Sequence, residues 1–263
     1  MLRQLVGKQT LSCFTGFGVA AAIALAGLSV TADSAAAQQT AGKGFLFGAP
    51  SISVSIRGGY SRPNAGSDVF SFVTEQLTLN KGDFASQSMG GDFSVRLRPQ
   101  LDLIFSVDAD GMSRKSEFRE WEDADGNPIE QRTSFSRTAV GIGAKYYLRP
   151  YGRTLSRLAW VPTQYAPWLS ATMGKTLYKF KQDGDFIDFD KNSRVFRDTF
   201  KSEDWGSSAS IAGGVDWNVN QRVALTSQVR YLMGKSDLGS DFSGFDRIDL
   251  SGVGLSAGVV FRF

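Results

Sequence analysis

Between residues 182 and 190 the chain reads QDGDFIDFD, which sets Asp183, Asp185, Asp188 and Asp190 within one short stretch. Clustered carboxylates are what a hard cation such as Ca²⁺ or Mg²⁺ requires. Their spacing matches no EF-hand, and Asp183-Gly184 is a turn dipeptide, so the stretch reads first as a solvated loop and only second as a metal site. Glu120, Glu122, Asp123 and Asp125, ahead of Gly126-Asn127, read in the same order: a hairpin tip before a ligand set. The chain has no histidine, the side chain best suited to acid–base work near neutrality. Its one cysteine is Cys13. No carboxylate pair or Ser-Lys pair stands at a defined catalytic spacing, and no phosphate-loop or dinucleotide glycine pattern follows a strand. The expectation is therefore no catalytic residue and no cofactor.

The remaining charges are more orderly. Arg57, Arg96, Arg98, Lys145, Lys175, Lys179, Arg222 and Arg230, with Asp92, Asp102, Asp108, Asp110 and Asp216, sit on alternate positions whose neighbours are apolar. A strand sends successive side chains to opposite faces, so such alternation gathers the charges on one face and the apolar residues on the other. The period defines eight candidate strands, at about 51–61, 88–98, 101–112, 133–148, 168–181, 205–218 and 222–234, and a last one closing at Phe263. In the first, Ile52, Val54, Ile56 and Tyr60 oppose Ser51, Ser53, Ser55 and Arg57. In the last, Val253, Leu255, Ala257, Val259, Phe261 and Phe263 oppose Gly254, Ser256, Gly258 and Arg262. The fifth is the least regular; Trp168, Tyr178 and Phe180 are set on the apolar face and Lys175, Lys179 and Lys181 on the polar one. Pro99-Gln100 and 219–221 are tight turns, while the connections after strands one, three, five and seven are long and polar. The stretch 149–167 breaks that rhythm, with room for a helical turn. Residues 68–79 (DVFSFVTEQLTL) fit a short amphipathic helix at the rim.

Residues 1–37 read as an export signal: Arg3 and Lys8, an uncharged apolar run over 11–30, then Ala35-Ala36-Ala37 as the cleavage signature. A membrane anchor is the competing reading, because the run is long enough to span. Removing that segment takes away Arg3, Lys8 and Asp33, so the net charge moves only from +3 to +2, and no block of like charge invites nucleic acid. Residues 38–50 then form a short periplasmic lead and 51–263 the body. No later run of ~18 apolar residues exists, so a body that lives in lipid has one option, the closed barrel.

Alternation alone does not say which face is outside, and a soluble lipocalin-like ligand-binding barrel has the same period with its apolar face inward. Gly and Ser crowd the polar face, aromatics stand at strand ends, and Phe261 and Phe263 close the last strand. On those residues the chain resembles the small eight-stranded outer-membrane β-barrels of the OmpA/OmpX type, without a further periplasmic domain. The resemblance implies an all-β, eight-stranded antiparallel transmembrane barrel with short periplasmic turns and long extracellular loops. It also implies an integral place in a bacterial outer membrane, contact with outer-membrane lipids and lipopolysaccharide, and Phe261 and Phe263 as the signal read by the barrel assembly machinery. Enzymes resembling this fold depend on a histidine, so the expected role is structural or surface-interacting. The inward set Arg57, Arg96, Arg98, Asp102, Asp108, Lys145, Lys175, Asp216 and Arg230 then admits two readings, a plug of ion pairs or a charged filter in a narrow pore or carrier. Eight strands leave an interior just wide enough for side chains, which favours the plug.

Overall fold

A computed structural model describes residues 48–122, 126–156, 159–188 and 194–263. The segment read as an export signal, and residues 38–47 of the lead, lie outside the described residues, as do Asp123, Asp125 and Asp190.

Eight antiparallel strands close into a ring: β1 (Ile52–Pro63), β2 (Ser86–Arg98), β3 (Leu101–Glu122), β4 (Pro128–Tyr147), β7 (Tyr165–Asp188), β8 (Arg194–Asn218), β9 (Val223–Ser236) and β11 (Gly252–Arg262). Each pairs with its sequence neighbour in the ring, and β11 returns to β1 in a continuous register from Arg262↔Ser53 to Gly252↔Pro63. Closure leaves no open edge within the ring, the condition lipid imposes on a sheet. No helix among the described residues is long and apolar enough to cross a membrane.

The alternation is the one the sequence shows. On β1, Ser55, Arg57 and Ser61 are buried in the interior while Ile56 and Tyr60 are exposed outside. On β11, Leu255 and Phe261 face out and Arg262 faces in, fully buried. Chemistry at the turns fits this frame. At the β8–β9 turn, the Asn220 side-chain oxygen accepts the backbone N–H groups of Arg222 and Val223 at 2.8 Å, an Asx turn that fixes the hairpin.

The strands are of two lengths. β3, β4, β7 and β8 run to 22, 20, 24 and 25 residues, and β1, β2, β9 and β11 only to 12, 13, 14 and 11. The long strands rise past the short ones at the loop end and make a half-open wall. The gap is filled by α1 (Asp68–Gln76), with the chain on either side of it, and by residues 237–251, including the two-residue strand β10 (Ile248–Asp249). The helix expected over 68–79 is therefore present but shorter, and it lies in the barrel mouth. Val69, Phe70 and Val73 point down onto Phe84, Phe135, Phe180, Phe242 and Leu250 in one apolar cluster. Phe70 meets Phe84, Phe135 and Phe180 edge-to-face at 4.9, 5.1 and 5.7 Å between ring centroids, the arrangement aromatic quadrupoles favour.

The turn end is closed too. The irregular stretch 149–167 is a hairpin, β5 (Gly152–Ser156) against β6 (Ala159–Pro162), and its described residues include no helical turn. It folds under the barrel, where Tyr151 and Trp160 pack with Tyr147, Ala166 and Trp168.

Candidate functional site: the barrel lumen

Between the two caps the inward faces carry charge, and the charges meet one another. Near the turn end, Arg96 on β2 forms a bidentate pair with Asp102 on β3, at 2.8 and 3.3 Å. The Arg96 guanidinium also lies 3.5 Å from the centroid of the Tyr151 ring, and Arg262 stacks on the same ring at 4.5 Å. The Tyr151 hydroxyl donates to the Pro50 carbonyl at 3.0 Å. Burial pushes this phenol up to about 12, partly offset by the Arg96 guanidinium.

One step inward, Asp216 on β8 is fully buried and collects donors from several strands. Lys145 approaches at 3.2 Å, the Tyr147 hydroxyl and the Trp168 indole N–H at 2.9 Å, Thr226 at 2.8 Å and Arg262 at 3.4 Å. A carboxylate has room for about four acceptor contacts, so this site is saturated. The Trp168 ring reaches Asp216 by lying over Gly214, where a Cβ would meet it at 2.5 Å.

At mid-lumen, Arg57 on β1 bridges Asp92 on β2 and Asp108 on β3, the latter at 3.1 Å, and Arg230 on β9 reaches across to the other oxygen of Asp108. Asp108 itself sits over Gly90, where a Cβ would stand 2.1 Å from the carboxylate oxygen. Above this, Arg137 on β4 pairs with Asp110 at 2.9 and 3.1 Å. The same guanidinium donates to Ser61 at 2.9 Å and to the Leu250 carbonyl at 2.6 Å, tying the lumen to the apolar cap. Among the spaces between these groups, two of about 20 Å³ and one of about 10 Å³ are each sized for roughly one water molecule.

Of the residues expected in the lumen, Arg57, Arg96, Asp102, Asp108, Lys145, Asp216 and Arg230 are brought together there. Two are not. Arg98 is exposed at the turn end, because a register shift between Arg96 and Arg98 breaks the alternation. Lys175 is exposed on the outer surface, with Lys179 and Lys181, and the aromatics set opposite them are the inward residues. The reason is that β7 changes surroundings along its length. Its upper half encloses the apolar cap, so Tyr178 and Phe180 face in and lysines face water. Lower down, Trp168 faces in because its N–H has Asp216 to bond. Arg222, also expected inside, is exposed at the β8–β9 turn. Arg137 was missed; it interrupts a Ser/Thr-rich run on β4 two residues from Phe135, a signal visible in the alternation. Tyr147 is in phase with Lys145 on β4 and so falls on the inward face by period, whereas Tyr151 and Trp160, in the irregular connection, had no periodic signal.

Of the acidic stretch, Asp183 accepts from the Thr199 hydroxyl and lies 3.7 Å from Lys181, and these partners hold its carboxyl below the ordinary range. Asp185 is partly exposed on β7 beside it, Asp188 ends the strand, and Asp190 is outside the described residues. No group of three or more metal-ligating side chains occurs among the described residues. Phe261 and Phe263 are exposed on the outer face near the turn end.

The ring, its apolar outer belt and its charged interior define the class: a small eight-stranded barrel of the outer-membrane type. No protein-family model matches the chain, and no curated protein matches it. Among solved structures it is similar to Neisserial surface protein A (17% identity, TM-score 0.42, covering 82% of this chain and 99% of that one). It is also similar to the outer membrane protein OprG of Pseudomonas aeruginosa (13%, 0.43, 83% and 99%) and to outer membrane protein W of E. coli (16%, 0.38, 83% and 100%). At such identities and scores these likenesses accompany the class and carry no inference about role.

Proposed function

We propose that this chain is a non-enzymatic integral protein of the bacterial outer membrane. In this reading it is a closed scaffold that holds its tall β3–β4 and β7–β8 hairpins at the cell surface, with a structural or surface-interaction role. The observation that supports a closed lumen is the arrangement around Asp216 and Asp108, in which cations from β1, β4, β9 and β11 converge on carboxylates at successive depths. Charges in a confined interior are costly unless paired, and here they meet at hydrogen-bonding distance. Export behind a leader removed after Ala37 and handling by the barrel assembly machinery through Phe261 and Phe263 belong to the same reading.

A narrow pore or carrier is the second reading, and one observation favours it. The small spaces share Arg230 as a lining residue, so a swing of that one side chain would join them.

Membrane integration is tested by electrophoresis of purified protein with and without boiling. A closed barrel resists detergent and migrates differently unboiled. A chain that is soluble without detergent and shows a single mobility would instead support the lipocalin-like arrangement. N-terminal sequencing of envelope-derived protein is expected to begin at Gln38.

A further inference from the structure

Beside the Asp216 hub, the lumen holds a small space whose wall carries more positive than negative charge. Its volume is about 20 Å³, and Arg57, Lys145 and Arg230 line it together with Asp92 and Asp108. Three cations therefore meet two carboxylates. The pairs around the space do not supply the missing negative charge, because Asp102 pairs with Arg96, Asp110 with Arg137 and Asp216 with Arg262. A buried cation without a counter-charge is costly, so a surplus of this kind calls for an anion.

Lys145 is the surplus cation. Asp216 has room for about four contacts. It accepts from the Tyr147 hydroxyl and the Trp168 indole N–H at 2.9 Å, from Thr226 at 2.8 Å and from Arg262 at 3.4 Å. Lys145, at 3.2 and 3.5 Å, is a fifth donor to an acceptor already filled, and its ammonium has three protons to place. Arg57 also has a donor to spare: the side chain is buried, and its Nε has no hydrogen-bond partner among the described residues. The two carboxylates on the wall are committed elsewhere. The oxygens of Asp108 are taken by Arg57 and Arg230, and Asp92 is held by Arg57 and Ser55. Much of the remaining wall can donate. Thr172 and Ser210 share one hydrogen bond at 2.8 Å, which leaves one of their two hydroxyl protons free.

We propose that this space is a binding site for one monatomic anion, chloride, held by the Lys145 ammonium, the Arg57 guanidinium and the Thr172–Ser210 hydroxyls. Such an ion is little larger than a water molecule, so a space of this size admits it and excludes polyatomic anions such as sulfate and phosphate. The bound ion neutralises the surplus cation and becomes part of the plug. The site goes beyond the closed-scaffold reading and stands whatever the outer surface of the barrel meets.

The test is urea unfolding of the protein folded into detergent separately in sodium chloride and in sodium sulfate at equal ionic strength. Sulfate strengthens burial by exclusion from the protein surface, so an unspecific salt effect places the midpoint higher in sulfate. The site places it higher in chloride, rising with chloride concentration along a single-site saturation curve. Lys145→Met removes the surplus charge and leaves Asp216 its four other donors, so loss of the chloride dependence is expected. Arg230→Gln, which leaves Asp108 its bond to Arg57, is expected to raise the half-saturating chloride concentration, and it serves as the test if Lys145→Met does not fold. Lys115→Gln, on the exposed loop end, is expected to keep the dependence of the unmutated protein. In crystals grown with bromide, an anomalous peak is expected between Lys145 and Arg57. A midpoint no higher in chloride than in sulfate, an unchanged chloride dependence in the Lys145 or Arg230 variant, or bromide found only on the surface would overturn the site.

Discussion

The Trp168 indole nitrogen donates to an oxygen of Asp216 at 2.9 Å, from one strand to the next across the inside of the barrel. In an apolar-out barrel a tryptophan near a strand end is expected at the lipid interface. Here its hydrogen bond to a buried carboxylate turns it inward, where it fills volume and supplies one of the donors that satisfy the Asp216 oxygens.

That hub sets the first expectation. Asp216→Ala removes the carboxylate shared by Lys145 and Arg262 and should cost about 3–5 kcal/mol, the usual penalty for leaving buried charge without its partner. Lys115→Ala breaks an ion pair with Glu130 at 2.5 Å whose two side chains are at least half exposed, and it should cost no more than about 1 kcal/mol. Urea midpoints of the folded barrels in detergent, compared between these variants, check the contrast; equal shifts would contradict it.

Tyr151 makes the closure at the turn end sensitive to alkali. Its phenol is raised from 10.0 to about 12 in the folded protein, so between those values the unfolded chain gives up the proton that the folded one keeps. The unfolded state is favoured as pH rises, and stability falls by up to about 1.4 kcal/mol per pH unit in that window, with no effect below it. Tyr151→Phe should make the fall in stability across that window shallower. A variant with the same alkaline profile as the unmutated protein would show that the phenol plays no part.

At the loop end, Phe70 anchors α1 inside the mouth. Phe70→Ala should cost about 3–5 kcal/mol of packing there, because the ring is fully enclosed by other aromatics. The expected result is new protease cleavage within residues 64–85 in a barrel that still shows its unboiled gel shift. Cleavage should leave permeability unchanged, since the Arg137–Asp110 pair lies beneath the cap. A protease-resistant variant would contradict the anchoring role.

Much of this arrangement is written in the sequence, and the places where it is not have physical reasons. Period-two alternation gives the strands and most inward residues, because one solvent contrast operates along β1, β9 and β11. It misleads on β7, where the same strand passes from lipid outside and polar groups inside to water outside and an apolar cap inside. Lys175, Lys179 and Lys181 carry the sign of the second environment, and the rule of the first puts them on the wrong face. Arg98 fails for a local reason, the register shift beside it. The amphipathic pattern over 68–79 reveals α1, but only the unequal strand lengths show that a gap in the wall draws it into the mouth. The 149–167 connection has no period to read; Tyr151 and Trp160 are placed by Arg96, Arg262 and the aromatic floor they close.

The closed lumen is tested most directly by planar-bilayer recording of the unmutated protein. Arg57, Asp92, Asp108 and Arg230 meet at mid-lumen, and the space beside them holds about one water. The expected record is flat, with no steady conductance above the bare membrane. Asp108→Ala, which withdraws the carboxylate shared by Arg57 and Arg230, should be the variant that leaks. Robust single-channel conductance from the unmutated protein would contradict the plugged barrel and make the pore the leading account.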